Sequence, residues 1–228
     1  MPGVTKNRAA LSVLVDLEGW LEDTGRFLAA LERHPAALTT EIVVADRTGG
    51  GAAGLAPAGT VVDLPAGTGY GAARNAALRR ATGDVVVLVD TSVEPTGDVL
   101  TPLAEALADP SVAVAGPFGL VTDNLYDYSE QLAGEVAAVS GYCLAARRAD
   151  LLAVGGVRET FAWYRNADID LSFQVRAAGF EARVVPLPVT KHEHRGWAAL
   201  DEVERDRRSR KNHAAFLSRW RDRQDLIS

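Results

Sequence analysis

The sequence predicts an α/β protein built on a single mostly parallel sheet flanked by helices. Short apolar runs alternate with amphipathic segments, the order that βαβ units require. One run, Val85-Val86-Val87-Leu88-Val89, is apolar at every position, as expected of a central strand covered on both faces. Acidic residues also stand at the carboxyl ends of runs, where open α/β sheets bind ligands: Asp46 and Asp90 end theirs, and Asp63 nearly does.

In chain order, strands are expected at Leu11–Val15, Glu41–Asp46, Thr60–Leu64 and Asp84–Val89. Helices are expected at Gly19–Arg33 and at the Ala- and Arg-rich Tyr70–Ala81. A helix over Thr96–Ala108 leads to a strand at Ser111–Ala115. Leu120–Gln131 reads as an irregular excursion suited to contacting substrate. Strand character returns at Val139–Ala146, a helix follows at Asp168–Ala178, and a strand at Ala182–Val185. A charged helix over Leu200–Arg223 closes the chain. The Gly/Ala-rich stretch from Gly49 to Gly59 is expected to be a mobile loop, and no internal repeat is present.

The chain has 228 residues, enough for one substantial core. Domain organisation is expected as a main domain over 1–198 and a charged helix over 199–228 packing on it. Within the main domain, 9–118 would form a nucleotide-binding half and 119–198 a half for the acceptor and catalysis. The net charge of -6 argues against general nucleic-acid binding. A single cysteine, Cys143, excludes an intrachain disulfide and fits a reducing compartment. Met1–Arg8 lacks the apolar core of a secretory signal, and no apolar run is long enough to span a bilayer, so a cytoplasmic location is expected.

Three clusters carry chemistry. The first is Trp163-Tyr164-Arg165-Asn166-Ala167-Asp168-Ile169-Asp170, where an aromatic segment turns into a helix. Carboxylates are favoured at a helix N-terminus, so one of Asp168 and Asp170 serves as a cap. Trp163 and its neighbours suit a pocket wall, and the other Asp suits a general base beside a bound hydroxyl. The second is the Gly-rich loop Gly67-Thr68-Gly69-Tyr70-Gly71-Ala72-Ala73-Arg74-Asn75, which runs into a helix and suits contact with a nucleotide. It lacks the lysine of a Walker loop. The third is Lys191-His192-Glu193-His194-Arg195-Gly196-Trp197. In an extended segment His192 and His194 point the same way, as two metal ligands would.

In order along the chain, these pieces resemble the inverting, GT-A-type glycosyltransferases of family 2. Four segments carry the resemblance: Glu41–Asp46; Gly69–Asp84, similar to the family's G-x-x-x-A-R-N…A-x-G-[DE] run; Gly155-Gly156 with Asp168-Ile169-Asp170-Leu171 and Arg176–Gly179; and His192-Glu193-His194. Together they span roughly Leu11 to Trp220. The resemblance implies a GT-A (nucleotide-diphospho-sugar transferase) fold. It also implies transfer of a sugar, from a UDP-sugar by default, to an acceptor hydroxyl with inversion. Asp46 and Asp63 would recognise base and ribose, with Gly71, Arg74, Asn75, Asp90, Ser92, Trp163 and Asp170 completing the substrate site. Asp168 would be the base, and Asp90 with His194, or His192 as an alternate, would hold Mn²⁺ or Mg²⁺.

The sequence departs from the family at three places, the first being Asp16-Leu17-Glu18-Gly19 after the opening strand, where the family usually has Pro and Asn. The family's D-x-D stands here as Asp90-Thr91-Ser92, and a hydroxyl is a poorer ligand for a hard cation than a carboxylate. The acid that usually precedes the catalytic Asp is Ala167. The last two departures define the alternative, a catalytically impaired glycosyltransferase-like binding or partner subunit. A nucleotidyltransferase is disfavoured, because Leu17-Glu18-Gly19-Trp20 stands where such enzymes carry a basic Gly-rich loop. The closing helix suits contact with a membrane surface or a partner, and a homodimer is compatible with the chain.

Overall fold

The computed structural model describes residues 10–55 and 59–227. The N-terminal stretch considered for a signal and part of the Gly/Ala-rich loop lie outside the described residues. The strands are β1 (Leu11–Leu17), β2 (Thr40–Asp46), β3 (Thr60–Asp63), β4 (Val85–Val89), β5 (Val93–Pro95), β6 (Val112–Gly116), β7 (Gly119–Val121), β8 (Ser129–Gln131), β9 (Gly134–Val136), β10 (Ala138–Val139), β11 (Cys143–Arg147), β12 (Glu181–Val184) and β13 (Val189–Lys191). The helices are α1 (Leu21–Arg33), α2 (Tyr70–Arg80), α3 (Leu100–Ala106), α4 (Arg148–Ala153), α5 (Ala167–Ala177), α6 (Arg195–Ala198) and α7 (Glu202–Trp220).

A large sheet runs in the order β3-β2-β1-β4-β11-β6-β12-β9. Its first four strands are mutually parallel, and β6 and β12 pair in parallel. Strand β11 runs antiparallel between β4 and β6, and β9 is antiparallel to β12. The pleat sends alternate residues of β4 to opposite faces. Val86 and Leu88 join one core with α2, α5 and the apolar stripe of α7, Phe216 and Trp220. Val87 and Val89 join the other with Phe27 and Leu31 of α1 and Leu103 of α3. The apolar run is therefore a central strand covered on both sides, and α7 packs on the domain. No helix among the described residues is long and apolar enough to cross a membrane.

The expected large, mostly parallel sheet flanked by helices is present, and it is not alone. Two small sheets stand beside the large one, β10-β7-β8 and β13-β5. The stretch expected to be irregular is so over 122–128, while its two ends pair as β7 and β8, with Asn124 accepting N–H bonds from Tyr126 and Asp127 at the turn. The strand expected over Val139–Ala146 is broken at Ser140–Tyr142. The break frees the Gly141 N–H from strand pairing and lets it bond a side chain instead.

Candidate active site

The parallel strands β2, β1 and β4 end on one side of the sheet, which places Asp46, Asp16 to Glu18, and Asp90 along one edge. Because β11 is antiparallel to β4, its entry lies beside the exit of β4, and the Asp90 N–H bonds the Tyr142 carbonyl at 3.0 Å. Strand β13 returns along β5, and the His192 N–H donates to the Ser92 carbonyl at 2.7 Å. Residues far apart in sequence thereby meet at one point.

The meeting point is a pair. His194 Nε2 lies 2.9 Å from Asp90 Oδ2, with the histidine buried. His194 Nδ1 accepts from the Trp197 N–H at 3.1 Å, and its ring stacks on Tyr164 at 4.2 Å. Burial opposes both charges. For Asp90 it is outweighed by the His194 hydrogen bond and charge and by Ser92, so the carboxyl sits below its usual range. For His194 it is outweighed by Asp90 and by the charge of Glu18, so the imidazole sits above its usual range.

Asp168 occupies the first turn of α5. Asn166 precedes the helix in a left-handed conformation (φ 63°) that turns the chain into it. Asp168 Oδ2 accepts from Gly141 N–H at 2.7 Å and Oδ1 from Ile169 N–H at 2.9 Å. Burial raises its pKa, and those two bonds oppose the rise. A carboxylate made more basic but kept hydrogen-bonded has the character of a general base. Asp168, Asp90 and His194 line one cleft of about 450 Å³, walled by Phe118, Tyr126, Tyr128, Tyr142 and Tyr164.

Several residues expected at the site make contacts within the framework. Arg74 is buried and donates to the carbonyls of Leu14 and Val89, clamping the middle of β1 to the end of β4. Asn75 exchanges two hydrogen bonds with the Val157 backbone, fixing the turn at Gly155-Gly156. Gly71 is needed because a Cβ there would meet the Arg158 carbonyl oxygen at 2.4 Å. Asp170 is fully buried, held by Arg158 at 2.8 Å and by the Trp220 indole N–H at 2.7 Å. Trp163 is buried against Trp197, ring on ring at 5.8 Å. Asp46 is fully buried and accepts from the N–H groups of Thr48 and Ala52, so it holds its own loop. For Arg74, Asn75 and Asp170 a partner distant in the chain claims the polar group, and local sequence does not reveal that partner.

His192 faces a different carboxylate from His194. It does not join His194: its Nε2 pairs with Glu94 Oε2 at 2.9 Å, on the β5–β13 ribbon. Ser92 is buried beside Asp90, and its N–H donates to Asp90 Oδ1 at 2.8 Å. Asp63 ends β3 exposed, in register with Asp46. No group of three or more His, Cys, Asp or Glu side chains among the described residues converges to hold a metal ion. Asp90 and His194 do offer one carboxylate and one imidazole at one point. That pair fits a divalent cation whose remaining positions are filled by phosphate oxygens, a common arrangement for Mg²⁺ with nucleotides.

The sequence pointed to Trp163 and its neighbours as a pocket wall but gave no place in it to Tyr142, which stands on a separate segment and whose setting among small residues in Ser140-Gly141-Tyr142 was the available signal. It also missed Arg47, which grips Asp16 with two nitrogens at 2.9 Å, Glu18 at 2.6 Å and the Thr68 carbonyl at 3.1 Å, tying β1, β2 and the Gly-rich loop together.

The family model for Glycosyl transferase family 2 matches residues 28–170. The Pre-mycofactocin glycosyltransferase of Mycobacterium tuberculosis, in two strains, is 28% identical over 153 residues. That match covers 59% of this chain and 32% of the relative, so the match covers about a third of the length of the curated relatives. Among solved structures, GalNAc-T7 with UDP, GalNAc and Mn²⁺ superposes with a TM-score of 0.75 at 12% identity, covering 96% of this chain and 49% of the other. Staphylococcus aureus TarS 1-349 in complex with UDP-GlcNAc gives 0.61 at 18% identity, covering 94% and 69%. The mannosyltransferase PcManGT of Pyrobaculum calidifontis with GDP-Man and Mn²⁺ gives 0.58 at 21%, covering 79% and 56%.

Proposed function

This chain belongs to glycosyl transferase family 2 and has the GT-A fold, and on that premise we propose that it transfers a sugar from a UDP-sugar to an acceptor hydroxyl with inversion at the anomeric carbon. The observation that carries the reading is the cleft shared by Asp168 and the Asp90–His194 pair. Asp168 takes the proton of the acceptor hydroxyl as its oxygen bonds to the anomeric carbon. The bond from that carbon to the diphosphate oxygen breaks, and the nucleoside diphosphate leaves with the electron pair from the opposite face.

Gly141 N–H keeps Asp168 oriented, and the tyrosine wall excludes water from the attacking side. Asp63 and the loop held by Asp46 recognise base and ribose in this reading. Asp90 and His194 hold the diphosphate end. Asp90 and His194 would hold a Mn²⁺ or Mg²⁺, which would supply Lewis-acid charge at the diphosphate end.

The test is a titration of UDP, GDP and dTDP into the purified protein with Mn²⁺ and with EDTA, followed by product analysis with hydroxyl acceptors. Preferential binding of UDP and a product of inverted configuration support the reading. Absence of binding by all three nucleotides overturns it.

A further inference from the structure

The cations around the donor end of the cleft differ in one respect. Arg47 is engaged by Asp16 and Glu18, and Arg74 by two backbone carbonyls. Arg26 pairs with Asp23 at 2.8 Å, and Arg195 with the same carboxylate at 3.0 Å. Each of these charges is already compensated. Lys191 also lines the cleft, yet it pairs with no carboxylate among the described residues. Its Nζ stands 3.8 Å from the centroid of the Tyr142 ring and 5.2 Å from that of Phe118.

The position matters as much as the free charge. Lys191 ends β13, three residues before His194, and the Tyr142 ring that carries its ammonium meets the His194 ring edge-on at 6.5 Å. A cation over an aromatic face is held in place with modest energy, so it is oriented and remains available to an anion. The same edge of the sheet is otherwise acidic, with Asp16, Glu18 and Asp90, and Ser92 adds no charge that would recruit a cation. A diphosphate arriving there needs a positive partner besides His194. Arg165, the other cleft cation without a carboxylate, lies over Trp197 at 4.9 Å on the segment that leads to Asp168.

We propose that Lys191 is a further catalytic residue, the cation that binds the donor's diphosphate and stabilises it as it leaves. The inference rests on the donor reading given above. As the anomeric C–O bond breaks, the diphosphate keeps the electron pair and gains negative charge, and the Lys191 ammonium donates a hydrogen bond to one of its oxygens. Charge-assisted bonds of this kind are the stronger class.

The test compares UDP with UMP by calorimetry on the full chain, with Mn²⁺ and with EDTA. The wild type should bind UDP at least about tenfold more tightly than UMP, the scale of one charge-assisted bond. Lys191→Met should lower that ratio about tenfold in EDTA, and by less where Mn²⁺ contributes, while leaving UMP affinity unchanged, which shows the fold intact. Lys191→Arg should keep most of the ratio. A ratio that survives Lys191→Met in both conditions overturns the inference and leaves the donor reading standing. Failure of the wild type to bind either nucleotide overturns both.

Discussion

His194 Nε2 lies 2.9 Å from Asp90 Oδ2, joining the exit of the central strand to a segment that enters from the far side of the small β5–β13 ribbon. Neither residue is exposed enough for water to satisfy it alone. Each shifts the other's proton affinity, Asp90 downward and His194 upward. The pair is thus both a fold contact and the charged centre of the cleft.

That coupling has a pH signature. A depressed Asp90 contributes stability that is present above its unfolded value, about 3.9, and is lost as pH falls through the lower folded value. A raised His194 contributes stability that is present below its unfolded value, about 6.5, and is lost as pH rises through the higher folded value. The difference in Tm between wild type and His194→Ala should therefore be largest between about pH 4 and 6.5 and shrink on both sides. A difference that is flat with pH would separate the pair electrostatically.

Asp168→Asn removes the base but keeps the shape. Turnover should fall by about 10²- to 10⁴-fold, with UDP affinity within about twofold of wild type. In the wild type, kcat/KM should rise with pH through an apparent pKa above the ordinary carboxylate range, since only the deprotonated form accepts a proton and burial raises the group. Single-turnover rates across pH measure both.

Gly141 sits against Asp168, and a Cβ placed there would meet Asp168 Cβ at 3.1 Å. Gly141→Ala should displace the carboxylate by a few tenths of an ångström and cut kcat by about tenfold, given the sensitivity of transfer to alignment. Nucleotide affinity, measured in parallel, should not change.

Asp170 and Gly71 belong to the framework, and their variants should show it. Asp170→Ala leaves Arg158 and the Trp220 indole without their acceptor and should cost about 3 kcal/mol. Gly71→Ala forces the Arg158 backbone to move and should cost about 1–3 kcal/mol. Urea denaturation reads both losses. At temperatures where each variant is folded, UDP affinity should match the wild type. A selective loss of UDP binding at full stability would return either residue to the site.

The strands and helices were legible because hydrophobic periodicity is local: the all-apolar, β-branched Val85–Val89 reads as a doubly covered strand, and Phe216 and Trp220 mark the apolar side of the closing helix, which packs on the core. The breaks were less legible. Val139–Ala146 has the composition of one strand, and only the packing of α5 explains why it opens at Gly141 to meet Asp168.

Among polar residues the limit is sharper. The motifs in the chain determined the family and marked Asp90, Asp168 and His194 as candidates. Asp46, Arg74, Asn75 and Asp170 carry the same marks, yet the tertiary structure turns them inward to bind Thr48, Leu14, Val157 and Arg158. Likewise His192 and His194, one residue apart, are sent to Glu94 and Asp90. Residue type and spacing fix what a group can do. Which group is left to do it depends on partners brought from elsewhere in the chain, because a buried charge goes wherever its compensation is found.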